Sequence, residues 1–83
     1  MKDNKNLPKG TKVIDRFSKS QTFGRTAIIL DQDEDGDYWC FYLDTAYGYS
    51  TTEEEEEFLE SIGVDEFGTC NWCFPDWMEV VEE

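Results

Sequence analysis

The 83-residue chain is long enough for one domain with a modest core, and its 39% apolar and 16% aromatic content is too high for a disordered acidic tail. A formal charge of −13 disfavours direct binding to DNA or RNA, and the lack of histidine removes the commonest general base and metal ligand. The longest apolar run, Tyr38 to Leu43, is far shorter than the roughly 20 residues that span a bilayer.

Met1 to Asn6 is polar with no hydrophobic stretch behind it, and the cysteines number three. Both features argue against a secretion signal and a disulfide-stapled fold, and for a cytoplasmic protein without a membrane segment. The charge is segregated along the chain. All seven basic residues lie in the first 25 positions beside only Asp3 and Asp15, giving 7 − 2 = +5. Residues 26–83 carry 18 carboxylates and no Lys or Arg. Like charges held together repel and oppose compaction, so a stretch this long without counter-charge carries a cost.

Residues 1–10 are predicted to form a flexible basic lead-in ending in Pro8-Lys9-Gly10, with 11–83 as a single small domain. Thr11 to Phe17 is β-branched and aromatic enough for a first strand. A polar loop over Ser18 to Gly24 follows. Arg25 to Leu30 and Tyr38 to Leu43 are predicted as a hairpin joined by Asp31 to Asp37, where Asp35-Gly36 supplies the positive φ that a tight turn needs. The second hairpin strand is bulky on both faces, as in a strand that is central and covered, or open to a partner. Ser50, Thr51 and Thr52 each stand three residues before a Glu, a capping-box pattern. It predicts a short helix across Glu53 to Ser61, closed by Gly63 at C′, with Phe58, Leu59 and Ile62 as its apolar edge. Its Glu53/Glu57 and Glu56/Glu60 pairs repel, so it must be held by docking on a sheet. The tail from Phe67 combines a loop around Pro75 with a last strand near Trp77 to Val81.

Three constellations could carry chemistry. Asp31 to Asp37 matches the first half of a calcium loop, D-x-D-x-D-G. Its twelfth position is Tyr42, where a bidentate carboxylate is required, and its flanks read as strands, so the turn reading is preferred. Cys70-Asn71-Trp72-Cys73 has the spacing of half a zinc knuckle or a redox pair, but only Cys40 could add a third sulfur. The acidic surroundings would also raise a thiol pKa, so small buried hydrophobes are the simpler reading. Paired carboxylates can cleave glycosides, yet a domain this small has little room for a water-excluding cleft. Neither an enzyme nor a cofactor or metal is expected.

The order of strands and turns resembles SH3-like small barrels. Lys-Gly-Thr-Lys-Val at 9–13, the 24–28 strand, a turn-linked third strand and a closing Asp76 to Val81 carry that resemblance. The expected fold is therefore mainly β (α+β): a small SH3-like antiparallel barrel or curled sheet with one short inserted helix near 53–62. Such barrels bind nucleic acids, peptides or proteins, so the shape does not choose among them.

The acid itself is more informative. The runs Asp31, Asp33, Glu34, Asp35, Asp37 and Glu53, Glu54, Glu55, Glu56, Glu57, Glu60 total 5 + 6 = 11 carboxylates. A domain of this length is about 30 Å across, and ~30 Å of duplex carries about 18 phosphates. Small, cysteine-poor, very acidic single domains of this kind resemble the anti-restriction and anti-CRISPR proteins of bacteriophages. The resemblance implies a non-enzymatic inhibitor in the host cytoplasm that presents carboxylates where phosphates would go. Those 11 carboxylates would face the basic groove of a nucleic-acid-binding host protein, with Tyr47 and Tyr49 as apolar anchors. The alternative is an interaction module that joins a larger assembly or a homodimer through its aromatic strand, using Trp39, Phe41, Trp72 or Trp77. Both a monomer and a homodimer fit the sequence.

Overall fold

The richest β-forming stretches become the centre of the sheet. In the computed structural model, which describes residues 7–81, β2 (Thr26–Gln32) and β3 (Tyr38–Leu43) form an antiparallel hairpin. Its turn is closed by Gly36 N–H to the Asp33 carbonyl at 3.1 Å and Asp33 N–H to the Asp37 carbonyl at 2.9 Å. Gly36 sits at φ 91°, so this is a type I turn followed by a left-handed residue, and Asp-Gly is used as expected. β1 (Lys12–Asp15) pairs outside β2, β4 (Gly68–Cys73) outside β3, and β5 (Met78–Val80) outside β1. The sheet order is β4-β3-β2-β1-β5, with every pairing antiparallel.

No closed barrel forms. β4 and β5 stay at opposite margins of the sheet, so the open, curled-sheet form of the expectation describes the chain. β4 itself is absent from the predicted elements, which assigned its residues to an irregular tail. Residues 7–10, predicted as part of a flexible lead-in, are tied to the sheet: Leu7 N–H donates to the Tyr38 hydroxyl at 2.9 Å and Gly10 N–H to the Ile29 carbonyl at 2.7 Å. The rest of that lead-in lies outside the described residues.

The two faces of the sheet carry separate cores. One holds Val13, Ala27, Ile29, Tyr38, Cys40, Tyr42, Cys73 and Met78, with Leu7 and Val80 packed against it. The other holds Ile28, Leu30, Phe41 and Cys70, covered by Leu59 and Val64. The second face is the one that α1 (Glu53–Ser61) crosses. Thr52 caps α1 through a reciprocal box with Glu55. At the other end Gly63, at φ 84°, donates to the Glu60 carbonyl and Val64 N–H donates to that of Leu59. This Schellman closure folds Val64 back onto Leu59. Ile62, expected on the apolar edge, is 43% exposed, because Val64 takes the buried place beyond the helix end.

One irregularity decides where a charged residue goes. Ile29 pairs with Cys40 and Asp31 with Trp39, so Leu30 is an extra residue in β2. The bulge puts Leu30 and Asp31 on the helix side of the sheet in succession, where simple alternation would have sent Asp31 to the other face.

The β4 margin is partly occupied. Tyr49 bridges to Cys70, with Tyr49 N–H to the Cys70 carbonyl at 2.8 Å and Cys70 N–H to that of Tyr49 at 2.7 Å. Two residues on, Trp72 N–H donates to the side-chain oxygen of Asn71 at 2.8 Å, and the Trp72 carbonyl accepts from the Tyr42 hydroxyl at 3.1 Å. Among the described residues no helix is long and apolar enough to cross a membrane.

Candidate functional site

The bulge and the helix cap bring the two acidic runs together at one point. Asp31 at the foot of the hairpin and Glu54 and Glu55 in the first turn of α1 line one cavity of 180 Å³, with Lys9, Trp39 and Thr52. From there one run continues into the hairpin turn and the other along α1. Glu53, Glu54, Glu56, Glu57 and Glu60 are exposed, as are Asp31, Asp33, Glu34 and Asp35. Asp37 is half-buried; that partial burial, followed by the charges of Asp33 and Asp35, raises its carboxyl pKa.

Glu55 belongs to the framework rather than to the exposed array. Its Oε1 accepts from Thr52 N–H at 2.8 Å and its Oε2 from the Trp39 indole Nε1 at 2.8 Å. The Cys70 thiol points at the same Oε1 from 3.8 Å. Glu56 is shared: it accepts from the Thr51 hydroxyl at 2.9 Å and stays exposed. Asp33 organises its own loop, with Oδ1 accepting from the N–H groups of Asp35 and Asp37, both at 2.9 Å. That is an Asx-type turn, which engages one oxygen of a side chain that the calcium reading would use as a ligand. Among the described residues no three His, Cys, Asp or Glu side chains are grouped to hold a metal ion.

Two arginines of the amino-terminal part make ion pairs with acids elsewhere on the chain. Arg16 pairs with Glu79 at 2.8 Å and Arg25 with Asp44 at 3.2 Å, both at exposed positions outside the two acidic runs. Lys9 reaches the helix and places Nζ 4.3 Å from the centre of the Phe58 ring.

Tyr49 is 64% exposed and its ring lies 5.8 Å from that of Trp39, which in turn meets Trp72 edge-on at 4.9 Å. Tyr47 is exposed, its backbone held by Thr45 and Thr69. The aromatic strand itself is closed: β3 is paired on both sides and Tyr38, Phe41 and Tyr42 are buried. Of the aromatics expected to carry an assembly contact, Trp72 and Trp77 are exposed and Phe41 is not.

The cysteines are buried, as the simpler reading of their spacing expects, and Cys70 and Cys73 do not face each other. Residues three apart on a strand face opposite ways, so Cys70 enters the helix-side core and Cys73 the other. Cys73 instead meets Cys40 on β3. The Cys40 thiol is held up by its hydrogen bond to Cys73 and by burial, and the same bond holds Cys73 down. Burial, with the neighbouring Glu55 charge, pushes Cys70 up to about 12. All three are free thiols in the interior. On that same face Asp15, only 3% exposed, went unnoticed in the sequence. It accepts from the Thr22 hydroxyl at 2.7 Å and from Phe17 N–H at 2.9 Å, ordering the loop that follows β1. Its signal was an acid at the apolar-facing position of a predicted strand.

Comparison with family models, with curated proteins and with solved structures finds no match, so the surface is read from its own geometry.

Proposed function

We propose that the chain is a non-enzymatic inhibitor that offers carboxylates in place of nucleic-acid phosphates. It occupies the basic DNA- or RNA-binding site of another protein, a host defence or transcription protein if the chain is phage-encoded. One observation carries the reading: the exposed acids of the hairpin turn and of α1 meet at Asp31 and Glu54, while the ion pairs of Arg16 and Arg25 fall on Glu79 and Asp44, outside that array. The dimensions are compatible. The longest axis is 33 Å, a length over which duplex DNA carries about 19 phosphates. Tyr47 and Tyr49 stand exposed as anchors in the segment just before α1.

The test is displacement of a fluorescein-labelled 20-base-pair duplex from a panel comprising a restriction endonuclease, an RNA-guided nuclease and a bacterial RNA polymerase, read by anisotropy. Displacement from at least one member is expected, weakening about tenfold or more between 50 and 200 mM salt as screening grows. No displacement from any member at 50 mM salt overturns the proposal. A second reading, an assembly or homodimer contact through aromatics, is favoured by the exposure of Tyr49 and Trp72 at the β4 margin. A homodimer in sedimentation that leaves every duplex bound would support it instead.

A further inference from the structure

The two flanks of α1 have the same chemistry but differ in what fills them. On the first flank the protein's own Lys9 supplies the cation. Its ammonium lies over the Phe58 ring, and the residue also lines a cavity with Asp31, Glu54 and Glu55. An ammonium over an aromatic face is favourable through the ring quadrupole.

The second flank also sets acids beside apolar side chains, in a larger cavity. Between α1 and the segment leading into β4 runs a groove of 420 Å³, within the range of ligand pockets. Its apolar lining comes from Phe41, Leu59 and Val64, with Phe67, 66% exposed, at its side. Glu60, Asp65 and Glu66 add three carboxylates, and Glu56 a fourth that Thr51 already engages. No Lys or Arg is among the groove's lining residues.

We infer that this groove receives a lysine side chain from a basic segment of the partner protein, its methylene stem against Leu59, Val64 and Phe67 and its ammonium among Glu60, Asp65 and Glu66. The inference rests on the inhibitor reading and deepens it. The occupant is chosen by complementarity: an apolar trough rimmed by acid matches a side chain that is aliphatic along its length and charged at its tip. Lys9 on the opposite flank shows a lysine ammonium held against an aromatic side chain of the same helix. The groove would set the register of the complex, while the hairpin and the rest of α1 contribute long-range attraction.

The probe is octalysine, titrated into isotope-labelled protein at 50 mM salt and followed by amide chemical shifts. Shifts centred on Val64, Phe67 and Gly68 are expected. The double variant Glu60→Gln/Glu66→Gln should bind octalysine about five- to tenfold more weakly, and Glu34→Gln/Asp35→Asn, with the same loss of charge, less than about twofold. Equal weakening in both variants, or shifts spread evenly over the hairpin, overturns the groove and leaves the inhibitor reading to the duplex experiment. Failure of the parent protein to displace any duplex overturns the inhibitor reading, and groove-centred octalysine binding would then still support a lysine site.

Discussion

Glu55→Ala should separate framework acid from displayed acid within one run of five glutamates. The substitution removes an acceptor from Thr52 N–H, half of the capping box, and an ionised acceptor from the Trp39 indole, both at 2.8 Å. A cap contact is worth about 1 kcal/mol, and a hydrogen bond to a charged group about 1.5–3 kcal/mol. Because Glu55 and Trp39 are only half-buried, the lower part of that range applies. The expected loss is about 2–3 kcal/mol, which lowers Tm by about 10–20 °C in a domain of this size. Glu54→Ala and Glu57→Ala remove charge from exposed positions of the same helix. Each should leave Tm within a few degrees or raise it, since like charges along the helix repel. Thermal unfolding followed by tryptophan fluorescence and far-UV circular dichroism reads all three. If Glu55→Ala melts within about 3 °C of Glu54→Ala, the clasp between helix and sheet contributes nothing and the reasoning fails.

Gly63→Ala forces a side chain into φ 84°, so it should cost about 1–2 kcal/mol although nothing stands within 4 Å of the new methyl; an unchanged Tm would mean the helix end relaxes freely. Cys70 ionises far less readily in the folded state, near 12, than at the 9.0 of an ordinary thiol. Unfolding therefore releases a proton above pH 9, and stability that is full below that pH should decline between about 9 and 12. Melting curves across this range in Cys70→Ala and parent check it, and a parent that declines no more steeply than the variant would refute it.

Local signals in the chain were legible where a side chain satisfies its own neighbours. Asp35-Gly36 identified the hairpin turn, and the Ser50-Thr51-Thr52 run before the glutamates, with Gly63, identified the two ends of α1, because caps and turns are decided within a few residues. β4 was not legible. Gly68, Asn71 and two cysteines give little strand signal, and the segment becomes a strand because β3 presents an open margin to it. The same distinction runs through the acidic surface. That Asp31 faces α1 depends on the bulge at Leu30, and that Lys9 reaches Phe58 depends on the 7–10 segment crossing the sheet. Glu55 was indistinguishable from its four neighbours in a uniform run; helical rotation and the indole of Trp39 set it apart. The burial of Cys70 and Cys73 was legible and their separation was not, since C-x-x-C places two thiols together on a turn or helix and apart on a strand.

Asn71 and Tyr42, by satisfying the backbone of Trp72, have an effect that reaches past the single molecule. An open sheet is a surface on which further chains can nucleate, and a row of vacant amides invites fibre growth. Here Tyr49 blocks one rung and these two side chains stopper the next. Polymer extension by added strands would have to break existing bonds before making new ones on this side, a cost that salt does not screen away.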